Sequence, residues 1–125
     1  VHYNNLTQRH FEHPHCAGEL SGAAVRRGAA GSPAQGAWVQ FDVDIDPRDP
    51  GRKVRAARFL AFGCPHVIAA ADWVAQAAAG REATPSLPES VQSLRERFDV
   101  PIEKTGRLLV IEDAWIAAVS PPCGD

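Results

Sequence analysis

Val39-Gln40-Phe41-Asp42-Val43-Asp44-Ile45-Asp46 alternates apolar and polar side chains without a break. Successive side chains of a strand point to opposite faces, so this stretch predicts a strand with one apolar and one acidic face. Asp46-Pro47-Arg48-Asp49-Pro50-Gly51 follows as turn chemistry. Lys53 to Phe62 is a second β-prone run, with its alternation broken around Ala56-Ala57. Two strands joined by a short Pro/Gly loop predict a hairpin and hence an antiparallel sheet. Upstream, Ala17 to Ala37 is dominated by Gly, Ala and Ser around Pro33. That composition predicts a mobile or loosely structured stretch carrying one strand near Ala23–Arg27.

Helical signals flank the strands. Asn4 to Glu12 reads as a short helix, capped by Asn and closed at His13-Pro14 because a residue before proline is pushed out of the α region. Pro65 suits a first helical turn, and Val67, Ile68, Ala71, Ala75 and Ala78 form an apolar stripe up to Gly80. Ser86-Leu87-Pro88-Glu89 fits a capping box ahead of Val91, Leu94 and Phe98. Arg107 to Val119 is apolar almost all round, which predicts a buried helix ended by Pro121-Pro122. Strands first and helices after predict an α+β fold: a small antiparallel sheet covered on one face by helices.

Composition narrows the function classes. At 125 residues the chain predicts a single domain. Thirteen basic residues against fifteen acidic ones and a pI near 6.2 argue against nucleic-acid binding. No apolar run is long enough to span a bilayer, and the chain does not open on a secretory signal. The three cysteines, at positions 16, 64 and 123, are too few and odd in number for a disulfide framework. A cytoplasmic domain with reduced thiols is the expectation.

Cys64 is the most informative residue. It lies between a strand ending Phe62-Gly63 and a helix opening at Pro65, at or beside the N-cap. There the unpaired N–H groups and the positive end of the helix dipole favour thiolate over thiol, and thiolate is the form that binds metal or accepts sulfur. The alternative is a small buried hydrophobe at a strand–helix junction. His66, in Cys64-Pro65-His66, is a second metal ligand or a first-turn histidine with a local hydrogen bond. His13, His15 and Cys16 form another cluster, but an extended backbone at Pro14 sends alternate side chains to opposite faces. Cys123 is expected to be an exposed terminal thiol. Glu112 and Asp113 diverge by about 100° on a helix and read as cap or ion-pair partners rather than a catalytic pair.

In order and spacing, the chain resembles the IscU/NifU-type iron–sulfur cluster assembly scaffold family. Tyr3 to Gly18, with His10-Phe11-Glu12-His13-Pro14, is similar to the family's opening helix and its Asn-Pro-Arg loop. Gly31-Ser32-Pro33-Ala34-Gln35-Gly36-Ala37 is similar to its Gly-x-Pro-x-Cys-Gly-Asp loop. Ala57-Arg58-Phe59 through Gly63-Cys64 and Ile68-Ala69 matches Ala-Arg-Phe…Gly-Cys…Ile-Ala. Val100-Pro101 and Glu112-Asp113-Ala114 resemble the chaperone-recognition loop and the Glu-Asp-Ala helix. The resemblance implies a three-stranded antiparallel sheet packed on helices and an iron–sulfur cluster or zinc as the bound group. It also implies a cysteine desulfurase and chaperone-type partners, the latter docking at Val100-Pro101-Ile102-Glu103-Lys104, on a non-enzymatic monomer or weak homodimer.

The departures from that pattern concern the ligands. Gln35 stands at the first cysteine position, Ala37 at the aspartate, Arg107 at the third cysteine and Gly106 at the neighbouring histidine. Of the family's cysteines only Cys64 is in place, whereas a cluster needs about four protein ligands. Three functions follow from this balance. One is an atypical scaffold holding metal through Cys64 and non-standard ligands such as His66, Cys16, Cys123 or a partner's thiol. Another is a metal-free docking homologue that acts on a desulfurase or a scaffold. The third is a sulfur carrier with persulfide on Cys64.

Overall fold

A computed structural model describes residues 3–120. The chain runs α1 (Asn5–Glu12), β1 (Val25–Ser32), β2 (Ala37–Ile45), β3 (Val54–Phe62), α2 (Pro65–Ala78), α3 (Val91–Arg97) and α4 (Thr105–Val119). Single 3₁₀ turns at Pro33–Gln35 and Ile102–Lys104 complete it. The strands form one antiparallel sheet in the order β1-β2-β3. The α+β architecture is the one the strand and helix signals predict.

β2 is the middle strand, and its alternation sets the layers. Val39, Phe41, Val43 and Ile45 are buried in the single core cluster, where Phe41 meets Trp115 of α4 edge-on at 5.4 Å. The opposite face is not simply solvated. Asp42 is buried there, accepting two hydrogen bonds from Arg27 (2.7 and 2.9 Å) and one from the Leu20 N–H (2.9 Å). Burial alone raises the Asp42 carboxyl, but these donors outweigh it and hold the group below the usual carboxylate range.

The Gly/Ala-rich stretch is ordered rather than loose. β1 occupies eight residues of it and pairs with β2 from Val25 opposite Asp44 to Ser32 opposite Ala37. Its small residues are a packing requirement. A Cβ on Gly28 would stand 2.2 Å from the Ala118 N, and one on Gly31 would stand 2.8 Å from the Val110 side chain. α4 therefore crosses β1 with its backbone against the strand, and β-propensity gives way to contact distance. The helix is not buried all round, because Leu109 is 46 % exposed and Asp113 is exposed. Neither Glu112 nor Asp113 forms an ion pair among the described residues.

α3 begins later than the capping box predicts. Pro88 disfavours helical backbone at Leu87, and Ser90 takes the cap instead, accepting the Ser93 N–H at 3.1 Å. α1 starts where expected, with Asn4 capping Thr7 at 2.9 Å. A buried clasp fastens it to the body. His10 Nδ1 meets Asp72 Oδ2 at 2.6 Å, Asp72 Oδ1 accepts the Cys16 N–H at 2.7 Å, and Thr7 Oγ1 donates to the Phe98 carbonyl at 2.9 Å.

Two glycines separate packing from propensity. Gly28→Ala is expected to destabilise by about 1–3 kcal/mol through overpacking. Gly106→Ala, where an added Cβ meets nothing within 4 Å, is expected to stabilise the α4 end by about 0.5–1 kcal/mol. Urea denaturation reads both. Asp42 contributes stability that is present above its unfolded pKa near ~3.9 and lost as pH falls through its lower folded value. Asp42→Asn should therefore lower stability at neutral pH and flatten its fall on acidification, as followed by thermal melts across pH.

Candidate functional site

Strand register decides what Cys64 faces. Trp38 pairs with Phe62, so the chain leaving β3 turns at Gly63 beside the start of β2 and the Gln35-Gly36 corner. Gly63 has φ 157, and a Cβ added there would stand 3.1 Å from the Val67 Cβ, a close turn that delivers the next residue to the helix end. Cys64 is the N-cap of α2, with Pro65 in the first turn. Its sulfur makes no capping hydrogen bond, and the Val67 N–H is satisfied by the Cys64 carbonyl at 3.0 Å.

α4 brings the opposing wall. Its contacts with β1 run from Ala118 over Gly28 to Val110 over Gly31, and at the corner Gly36 lies 3.5 Å from the Arg107 guanidinium, measured from its added Cβ. Gly36 holds a left-handed φ of 84, which lets the 3₁₀ turn close under that side chain. Gln35, Ala37 and Arg107, the three positions at which the sequence resemblance implies replaced ligands, line one open depression of about 410 Å³ with Glu103, Gly106 and Val110.

The electrostatics shift Cys64 towards the thiolate. Burial pushes the thiol up, yet the net shift is downward. The neighbouring Val67 and His66 N–H dipoles and the Arg107 and Lys104 charges together outweigh burial. His66 is buried at 3 % exposure, edge-on to Tyr3 at 4.7 Å, and neither ring nitrogen finds a hydrogen-bond partner among the described residues. Burial first, then Lys104 and Arg107 against an opposing Asp99, keep its pKa below the ordinary histidine value. At neutral pH it is an uncharged imidazole.

The remaining candidates stand elsewhere. Cys16 is tied to Asp72, eight residues along α2 from Cys64, a distance of about 12 Å at the helical rise. Its carbonyl accepts the Phe59 N–H at 2.9 Å, and burial, with Asp72 adding and Arg58 opposing, raises its thiol. His13 and His15 are exposed on the same loop. Cys123 lies outside the described residues. In the Val100–Lys104 segment, Val100 is buried, Pro101 is half-buried, Ile102 is 73 % exposed, Glu103 is exposed and the Lys104 charge lowers the pKa of both Cys64 and His66.

A metal centre does not fit these donors. Among the described residues no three His, Cys, Asp or Glu side chains gather closely enough to hold an ion. Zinc sites use three or four protein ligands and clusters about four thiolates. Cys64 offers one, beside a guanidinium that cannot ligate a cation.

The family model for the NifU-like N terminal domain matches residues 2–121. The chain belongs to that family. Among its relatives, "Iron sulfur cluster assembly protein 1" of Trachipleistophora hominis is 26 % identical over 120 residues, covering 94 % of this chain and 84 % of that one. The "Iron-sulfur cluster assembly scaffold protein IscU" of Haemophilus influenzae is also 26 % identical, covering 94 % and 93 %. A crystal structure from Fervidobacterium islandicum AW-1, of a protein assigned as an iron–sulfur cluster assembly scaffold for the SUF system, superposes with a TM-score of 0.72. That match has 13 % identity and covers 94 % of this chain and 96 % of that one. The fold expected from the resemblance is therefore the fold observed.

Lys104 and the His10–Asp72 clasp carried no readable signal. Lys104 looked like part of a docking loop, and the clasp joins residues 62 positions apart. The Arg107 contribution to Cys64 has a direct readout. Arg107→Gln is expected to slow alkylation of Cys64 by iodoacetamide at neutral pH and move its pH–rate profile upward. Cys16 should react more slowly than Cys64 in both proteins, as peptide mass spectrometry would show.

Proposed function

We propose that the chain serves iron–sulfur cluster assembly as a scaffold-type protein that engages its cargo through a single thiolate, Cys64. Membership of the family and the names of its relatives support this reading. The observation that carries it is Cys64 at the N-cap of α2, its thiol held below the ordinary cysteine pKa in part by Arg107, which lines the open depression with Gln35 and Ala37. One thiolate supplies one of the bonds an iron–sulfur cargo needs, so the others come from outside the described residues, from a small-molecule thiol, a partner's thiol or a second copy.

The role is non-enzymatic: Cys64 binds and releases without turning over a substrate. Cysteine desulfurase and chaperone-type proteins are the partners in this reading. The exposed Ile102, flanked by Pro101, Glu103 and Lys104 on the firmly buried Val100, is the docking point for the latter. Thiol chemistry of this kind suits a reducing cytoplasm. Among the described residues no helix is long and apolar enough to cross a membrane.

Anaerobic incubation with ferrous iron, sulfide and glutathione, followed by gel filtration, tests the reading. Visible charge-transfer absorption is expected to travel with the wild-type protein and to be lost in Cys64→Ser. A colourless protein in both forms contradicts it.

A further inference from the structure

The two edges of the sheet are finished differently. Loops close the β3 edge. Phe59 donates to the Cys16 carbonyl at 2.9 Å and its own carbonyl accepts the Gly18 N–H at 2.8 Å, while Val54 donates to the Arg81 carbonyl and accepts the Gly80 N–H, both at 2.8 Å. β1 has no such cover. Residues directly opposite in an antiparallel pair alternate between those that exchange hydrogen bonds and those that do not. The Ile45 N–H donates to the Ala24 carbonyl at 3.4 Å, so Ala24 and, by alternation, Arg26, Gly28 and Ala30 turn their backbone groups towards β2. The groups of Val25, Arg27 and Ala29 therefore point out of the sheet. The Val25 N–H is taken by the Gly22 carbonyl at 3.3 Å, and the backbone groups of Arg27 and Ala29 have no partner among the described residues. Both residues are exposed, and the Arg27 side chain is drawn away onto Asp42. An unpaired edge of this kind is a template for another strand.

α4 overhangs that edge. Val110 stands over Gly31 and Ala117 over Gly28. Asp113 falls between them at helical spacing, on the same side of α4. It is exposed and forms no ion pair among the described residues. Arg26, on the helix side of β1, gives its guanidinium to the Ser120 carbonyl at 3.2 Å instead. A second copy cannot bring its own β1 to this place. Paired strands lie about 4.8 Å apart, and because α4 rests directly on β1 the two α4 helices would stand at nearly that spacing, whereas packed helices need about 8–10 Å. The edge suits a strand that carries no helix above it.

We propose that the open edge of β1 binds an extended peptide segment of a partner protein by strand addition, with Asp113 selecting a basic side chain on the face beneath α4. The incoming main chain completes the ladder at Arg27 and Ala29, and alternate side chains turn towards Val110, Asp113 and Ala117. This surface shares no residue with Cys64 or its surroundings except Val110, so it stands or falls apart from the scaffold reading.

An NMR titration of the isotope-labelled protein with acetyl-Thr-Val-Arg-Val-Thr-amide, and with the same peptide carrying Glu for Arg, tests it. The Arg peptide is expected to shift the Arg27 and Ala29 amides saturably with a Kd of about 1 mM and to slow their hydrogen exchange. The Glu peptide is expected to bind about fivefold more weakly, and Asp113→Lys to reverse that preference. Ala29→Pro removes an outward N–H that β2 does not use, as edge strands allow, and is expected to weaken the Arg peptide about tenfold while the Gly28 and Ala30 amides stay protected. Equal affinity for the two peptides, saturable shifts only elsewhere, or no saturable shift overturns the inference. So does undiminished binding by Ala29→Pro. Amide dispersion checks that this variant folds, and where it does not, Asp113→Lys at its exposed helix position still decides. Protection of Arg27 and Ala29 that rises with protein concentration in the absence of peptide would identify a second copy as the occupant and overturn the inference as well.

Discussion

The backbone contact of α4 with β1 governs the geometry of this molecule. At Gly28 the strand admits the helix so closely that even a methyl group would collide with the Ala118 amide. From that point the helix runs back along the strand, over Gly31 at Val110, and ends its first turn above Gly36 with Arg107. The same contact closes the core, because Trp115 and Phe41 meet between these ends. Distance along α4 and distance along β1 thus determine together which side chain reaches the corner beside Cys64. In this chain it is a guanidinium.

Much of this was legible where one force dominates. The strict alternation of Val39 to Ile45 and the turn residues after it specify β2 and a hairpin, since burial of one face decides both. Cys64 could be placed at a helix N-terminus because Gly63 and Pro65 punctuate the chain on either side. β1 was less legible, because its glycines answer to a helix some ninety residues later and look, locally, like a loop. The late start of α3 has a local cause that two signals contested: the capping box at Ser86 and the constraint of Pro88. Proline sterics won. The His10–Asp72 clasp had no local signature, as its two ends meet only after the helices have packed.

The site divides in the same way. Family order and spacing singled out Gln35, Ala37 and Arg107, and the structure brings the three to one depression. Its chemistry was legible only as a shortfall of ligands. What the fold adds is the sign of the field. The Val67 and His66 N–H groups and the Arg107 and Lys104 charges together outweigh the burial of Cys64 and lower its thiol pKa. Cys16 belongs to the clasp and Asp72, and burial drives its thiol the other way. The surroundings thus shift Cys16 and Cys64 in opposite directions.

At Cys64 the described residues gather too few donors for a metal ion and add the positive charge of Arg107 and Lys104. Zinc content of the freshly purified protein, measured by elemental mass spectrometry beside Cys64→Ser, tests it most directly. The account predicts far less than one zinc per chain in both proteins. About one zinc per wild-type chain, lost on replacing Cys64, would contradict it.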